Sequence, residues 1–368
     1  MKILHVLYSG LGGHGSIFFS FVKSNERTGM QQEALFNGIE PVKSAYIDEC
    51  TASRTPWQYV SKRPGLDLRY YRQLIRKIRN SDADIIFLHS SAYIMPARLG
   101  NLFSKKRKKI IVRETQANHL KAKMEWLWLA VAMLTATRIV FLSETYQQEI
   151  QKKLRYCYRS KKIMVIPNGL DLEFYAPHDK TLAGTIVIGM QSRLVKVKDH
   201  MTLLEAFSLL KAGDKGTVQL RIAGDGEQRR ALEEKTRSMQ LQDMVEFTGE
   251  LNEEALREFL WSLNIYVHAS LGETMSTAIM QAMACGLPVI ASDVRGIQNM
   301  IEDGVTGILV PVKDPQAMYK AMALLINDDA RCTKMTVAAR QYAEKYFSEN
   351  RMIDAYCTVF KNILQANG

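Results

Sequence analysis

The sequence has no run of 18 or more apolar residues, which excludes an apolar helix long enough to cross a bilayer. The nearest approach, residues 126–134, is nine long and soon meets Arg138, so it is expected to form a buried helix. A cysteine framework is also lacking. The five cysteines (Cys50, Cys157, Cys285, Cys332 and Cys357) are odd in number and scattered, with no CxxC pair and no metal-ligand spacing. Free thiols in a reducing cytoplasm follow as the simplest expectation. The opening MKILHVLYSG runs straight into strand-like sequence and shows no leader with a small-residue cleavage site. No short-period repeat or low-complexity segment is visible.

What is present is ordinary globular composition, 47% apolar and 24% charged, over 368 residues. That is enough for about two domains with substantial cores. The charge is uneven. Residues 1–178 hold 28 Lys and Arg against 14 Asp and Glu, whereas the remainder holds 21 against 24. A basic first half fits an anionic surface, a phosphorylated lipid or nucleic acid, or serves solubility alone.

Short apolar runs alternate with helical patterns. In the first half they fall at residues 2–8, 33–38, 84–90, 109–114, 138–143 and 162–167. In the second they fall at 185–190, 218–224, 245–249, 265–270, 288–293 and 307–311. Helical periodicity between them covers 69–80, 121–136, 199–211, 226–239, 253–263 and 277–285. Strands alternating with helices predict parallel sheets covered on both faces. Twelve strands, interrupted by the turn-rich stretch 167–184 where the charge balance changes, predict two such sheets.

Several loops carry chemistry. Residues 10–15, GLGGHG, fit GxGxxG and let backbone N–H groups approach a phosphate at a helix start, or form a tight turn with no ligand. A dinucleotide site would add an acid at the end of the second strand, where Asn37 and Gly38 stand. After the first strand of the second half, Arg193 and Lys198 precede a helix that Asp199 can cap, and two cations there suit a diphosphate. Gly224 and Gly226 follow another strand. In residues 270–293, SLGETMSTAIMQAMACGLPVIASD, Ser276 reads as an N-cap, Gly286 as a stop, and Pro288 as a bar to resumption. Glu273 then lies just before the helix and Gln281 about one turn inside it. The helix N-terminus adds roughly half a positive charge. A carboxylate for hydroxyls beside cations for a diphosphate describes a nucleotide sugar.

Taken together, IPNGLD (166–171), SRLVKVKD (192–199), AGDGE (223–227), the run 272–293 and EDGVTGILV (302–310) resemble, in order, a retaining glycosyltransferase of group 1 (GT4-like) with the GT-B fold. The resemblance implies an α/β chain of two Rossmann-like, doubly wound parallel-sheet domains facing across a cleft. Residues 1–172 would form the acceptor-side domain and 173–345 the nucleotide-sugar domain, with a C-terminal helix over about 346–368 returning to the first. It implies an enzyme that moves a sugar from a nucleoside-diphosphate donor, UDP-linked, to a hydroxyl of a glycan or lipid-linked glycan in cell-surface polysaccharide assembly. By the same resemblance, Arg193, Lys198 and Glu273 act in catalysis. Gly12, Gly13, Gly224, Met275, Ser276, Thr277 and Gln281 would line the donor. His14, Glu114, Thr115 and His119 fall on the acceptor side. No cofactor or metal is implied, since Arg193, Lys198 and helix N-termini stand in for one.

Two departures stand out. The second acid of the family's pair is replaced by Gln281, and Thr115 occupies a place where relatives carry histidine. An amide still bonds two hydroxyls but without charge assistance. This predicts weaker or altered donor binding rather than lost chemistry. In the basic half, Arg69, Arg72, Arg76 and Arg79 share one helical face, and KKRKK (105–109) adds a cluster. Both suit docking on the anionic cytoplasmic face of an inner membrane. Two rivals remain at this point: a nucleotide-sugar epimerase of the same fold, and a catalytically idle subunit that binds the donor. Nothing resembles a nucleic-acid motif.

Overall fold

The computed structural model describes residues 1–10, 13–116, 118, 121–178, 184–211 and 217–365. The chain divides into two compact units, Met1–Gly169 with Glu349–Gly368, and Leu170–Ser348.

The first unit holds a seven-stranded sheet: β1 (Lys2–Tyr8), β2 (Gln31–Gly38), β3 (Trp57–Ser61), β4 (Ile85–Leu88), β5 (Lys109–Arg113), β6 (Arg138–Phe141) and β7 (Ile163–Val165). Every pairing is parallel, in the order β3-β2-β1-β4-β5-β6-β7. Continuous apolar runs such as IIFL in β4 are buried residue by residue because helices cover both faces. On one face Leu68–Asn80, Ile94–Leu102, Lys123–Thr135 and Glu144–Lys153 close over Leu4, Val6, Leu88 and Val112. On the other lie Gly13–Lys23 and the C-terminal helix Glu349–Gln365. The latter buries Met352, Ile353, Tyr356, Val359, Phe360 and Ile363 against Ile3, Phe21, Phe87 and Ile111.

Two expectations are corrected here. Among the described residues there are thirteen strands, not twelve. The missed one, β3, is an edge strand with only Val60 buried, so it carries no apolar run to detect. The apolar stretch 126–134 is not a buried helix. Helix Lys123–Thr135 buries Leu129, Ala132 and Met133 but leaves Met124, Leu127 and Leu134 exposed at 56%, 50% and 48%. Being apolar on nearly every side, it has more apolar surface than one sheet face can cover.

The second unit repeats the plan with six strands: β8 (Thr185–Gln191), β9 (Thr217–Ala223), β10 (Val245–Gly249), β11 (Ile265–His268), β12 (Val289–Ser292) and β13 (Gly307–Val310). Their order is β10-β9-β8-β11-β12-β13, again all parallel. Both sheets therefore reverse strand order once, at β1/β4 and at β8/β11. In open parallel sheets, ligands bind outside the carboxyl ends of the strands at such a reversal.

Candidate active site

In the second unit, β8 and β11 are direct neighbours, with Ile188 opposite Ile265 and Gly189 opposite Tyr266. Their carboxyl ends release the two loops that hold Arg193, Lys198 and Glu273. Two glycines fix these loops by close backbone approach. Gly224 has φ +127°, and a Cβ there would lie 1.9 Å from the Ser192 carbonyl oxygen, so the turn after β9 closes against the β8 loop only with glycine. A Cβ on Gly296 would lie 2.1 Å from the Glu273 carbonyl oxygen. Gly296 was not legible as a site residue, because its role is contact rather than turn chemistry.

Lys198 forms an ion pair with Glu273 through Oε1. The same oxygen lies 2.9 Å from Nε2 of His268, the last residue of β11, which is fully buried. Burial acts to raise the Glu273 carboxyl, but Lys198 and then His268 outweigh it and hold it at about 2. Burial, joined by the Lys198 charge, pushes His268 below the usual histidine range. The site therefore holds an ionised carboxylate, a neutral imidazole and one ammonium.

Beside them, Ser276 caps helix Thr277–Ala284 by accepting from the Ile279 N–H. The helix stops where expected: Gly286 takes φ +69° and Leu287 N–H donates to the Ala282 carbonyl. Met275 and Thr277 flank Ser276, half-buried. Gln281 faces inward at 8% exposure, with one hydrogen bond at each end of its amide. Its Oε1 accepts from Gln191 Nε2 at 2.6 Å, and its Nε2 donates to the Tyr175 hydroxyl at 2.8 Å. Arg193 leaves the same loop as Lys198 but is exposed, and its guanidinium makes no side-chain hydrogen bond among the described residues. Asp199 sits just before helix His200–Lys211, where its carboxylate accepts from the Thr202 hydroxyl.

In the first unit, Gly13 starts the helix that follows β1, and Gly12 lies outside the described residues, as does His119. His14 folds back, with Nε2 3.0 Å from the Gly10 carbonyl oxygen. Glu114 is buried and engaged 3.2 Å from Lys121 Nζ, with Thr115 half-buried next to it. His268, Tyr266, Gln191 and Tyr175 were missed. One signal for His268 was available: a polar residue ending a four-residue strand buried on both faces must have hydrogen-bond partners.

Residues 178–342 match a family model described as glycosyl transferases group 1, and residues 27–174 match one described as glycosyltransferase family 4. Among curated proteins, the chain is 27% identical over 216 residues to a D-inositol 3-phosphate glycosyltransferase of Geodermatophilus obscurus, covering 54% of this chain and 47% of that one. It is 30% identical over 190 residues to the gpi3 subunit of a phosphatidylinositol N-acetylglucosaminyltransferase of Schizosaccharomyces pombe, covering 51% and 41%. The chain thus spans about half the length of these relatives or less. Among solved structures, Anabaena HepE in complex with UDP and glucose superposes with a TM-score of 0.82 at 17% identity, covering 98% of this chain and 99% of that one, a likeness of fold. With the ordered motifs and the strand orders of both sheets, these matches show that the chain belongs to the group 1 (GT4-like) glycosyltransferase family and has the GT-B fold.

Proposed function

We propose that the protein is a retaining glycosyltransferase that uses a UDP-sugar donor and a glycan or lipid-linked glycan acceptor in cell-surface polysaccharide assembly. One observation carries the reading: Lys198, Glu273 and the capped N-terminus of Thr277–Ala284 converge at the β8/β11 reversal. Cationic groups there suit a diphosphate, and a carboxylate held at about 2 accepts from sugar hydroxyls at any physiological pH. In the reaction, the bond from the anomeric carbon to the diphosphate oxygen breaks, and the acceptor hydroxyl attacks from the same face. The departing phosphate takes the acceptor proton. Arg193 and Lys198 stabilise the charge that develops on the leaving group, without a metal. UDP in the HepE complex supports the choice of nucleotide.

A panel of nucleotide sugars in thermal shift tests the donor. At a hundredfold excess over Kd, the right one stabilises by about 2.7 kcal/mol. Lys198→Ala should then slow release of nucleoside diphosphate several hundredfold, since losing one such contact costs about 3–4 kcal/mol of barrier. No stabilising nucleotide sugar would overturn the reading. Donor binding without turnover would favour the idle subunit, and conversion of the donor alone to an isomer the epimerase.

The proposed partner of the first unit is an anionic cytoplasmic membrane surface. Arg69, Arg72, Arg76 and Arg79 are all exposed along Leu68–Asn80. That helix packs on Ile94–Leu102, where Leu99 and Leu102 are exposed, with Phe103 just beyond. The next helix exposes Met124, Leu127 and Leu134. A basic rim beside an apolar strip suits an interfacial helix face. The 105–109 cluster contributes less than its charge suggests, because Lys108 is buried and Lys106 pairs with Asp84.

A further inference from the structure

The same oxygen of Glu273 serves two partners, and only one of them can stay. Lys198 pairs with Oε1, yet in the donor reading its ammonium belongs to the diphosphate. His268 bonds that oxygen at 2.9 Å from a fully buried position at the end of a strand. Behind the imidazole, Nδ1 lies 3.2 Å from the Tyr266 hydroxyl, itself 3.2 Å from the Gln191 carbonyl oxygen. Ser276 Oγ, the cap of the neighbouring helix, lies 3.3 Å from Nε2. The charged and titratable groups around His268 are Glu273, Lys198, Tyr266 and, behind Lys198, His200.

The tautomer follows from charge. An ionised carboxylate accepts, so Nε2 carries the proton. A neutral ring then leaves Nδ1 unprotonated, where it competes with the Gln191 carbonyl for the single Tyr266 hydroxyl proton. The imidazole thus offers one donor forward, to Glu273. The bond gives Glu273 an anchor that does not depend on Lys198.

We infer that His268 is the positioning residue of this site: it holds Glu273 toward the sugar when Lys198 transfers from the carboxylate to the donor's diphosphate. The inference rests on the donor reading for its consequence, though not for its geometry. Without His268, a carboxylate released by Lys198 would be free to rotate away from the sugar, and binding of the nucleotide alone would be unaffected.

The test compares UDP with UDP-glucose by titration calorimetry on the intact chain. The glucose should add affinity in the wild type. His268→Leu, which keeps bulk but no donor, should lose that gain by about tenfold with UDP affinity unchanged, as expected for one hydrogen bond to a charged group. His268→Gln, which keeps a forward N–H, should restore most of it. Equal loss of UDP and UDP-glucose affinity in folded His268→Leu would overturn the inference, as would no loss or a wild type that gains nothing from the glucose. If neither ligand binds, the donor reading fails. The geometry is then decided by long-range nitrogen–proton NMR on ligand-free protein. An Nε2–H imidazole that changes its Nε2 signal in Glu273→Gln supports the anchor, and an Nδ1–H ring or an imidazolium sinks it.

Discussion

Gln281 shows how one atom changes a site. Its amide bridges Gln191 and Tyr175, using an acceptor on one side and a donor on the other. A carboxylate there could accept from both, since the tyrosine hydroxyl can turn to donate. Gln281→Glu should therefore be tolerated in the fold, and in the donor reading it adds charge to a bond with the ribose. UDP should bind about fivefold tighter, the difference between a neutral and a charge-assisted hydrogen bond. Calorimetry against the wild type measures it, and unchanged or weaker binding would mean that position 281 does not face the nucleotide. Glu273 makes a prediction about pH. Its folded-state pKa is depressed to about 2. Its contribution is therefore fully present above the ordinary glutamate range and is lost as pH falls toward 2. The melting-temperature gap between wild type and Glu273→Gln should hold from pH 7 to 5 and close only below about pH 4. A gap that closes near pH 6 would contradict the ion pair. At this scale the sequence named Lys198, Glu273 and Ser276 because their chemistry is explicit in residue type and spacing. His268 and Gly296 act by contact with residues distant in the chain, and a single sequence does not display such contacts.

Elements were legible in proportion to how well periodicity matched burial. The C-terminal helix buries one face, with a buried residue every three or four positions, and the buried strands announce themselves as apolar runs. Helix Lys123–Thr135 misled because its apolar character does not stop at the buried face, and β3 because nearly all of it faces outward. The excess apolar surface is itself a prediction. Leu127→Glu with Leu134→Glu changes two half-exposed side chains, so it should alter stability little. It should, however, reduce flotation with vesicles containing anionic lipid. Replacing Arg72 and Arg76 by Gln should weaken the same binding and its salt dependence, at about 1 kcal/mol per charge. If the leucine pair has no effect while the arginines do, the contact is electrostatic only. If neither matters, the face meets no membrane.

For the whole molecule, the chain's path matters more than either sheet. It leaves the first unit near Gly169, builds the second, and returns from Glu349 to complete the first. Within the second unit, Leu170 N–H donates to the Phe347 carbonyl, so the outgoing and returning segments run side by side. The returning helix buries six apolar side chains against a face of the first sheet. At about 1.5–3 kcal/mol each, those six are worth roughly 10 kcal/mol or more, comparable to the 5–15 kcal/mol that holds a typical domain together. Removing residues 349–365 should therefore unfold the first unit rather than fray it, exposing Ile3, Phe21, Phe87 and Ile111. The second unit is complete without that helix and should keep its own transition. Calorimetric unfolding of the truncated chain should show one transition where the full chain has two or a merged one, together with binding of a hydrophobic dye before heating. A truncated chain that retains both transitions would mean that the returning helix is an accessory to a core closed without it.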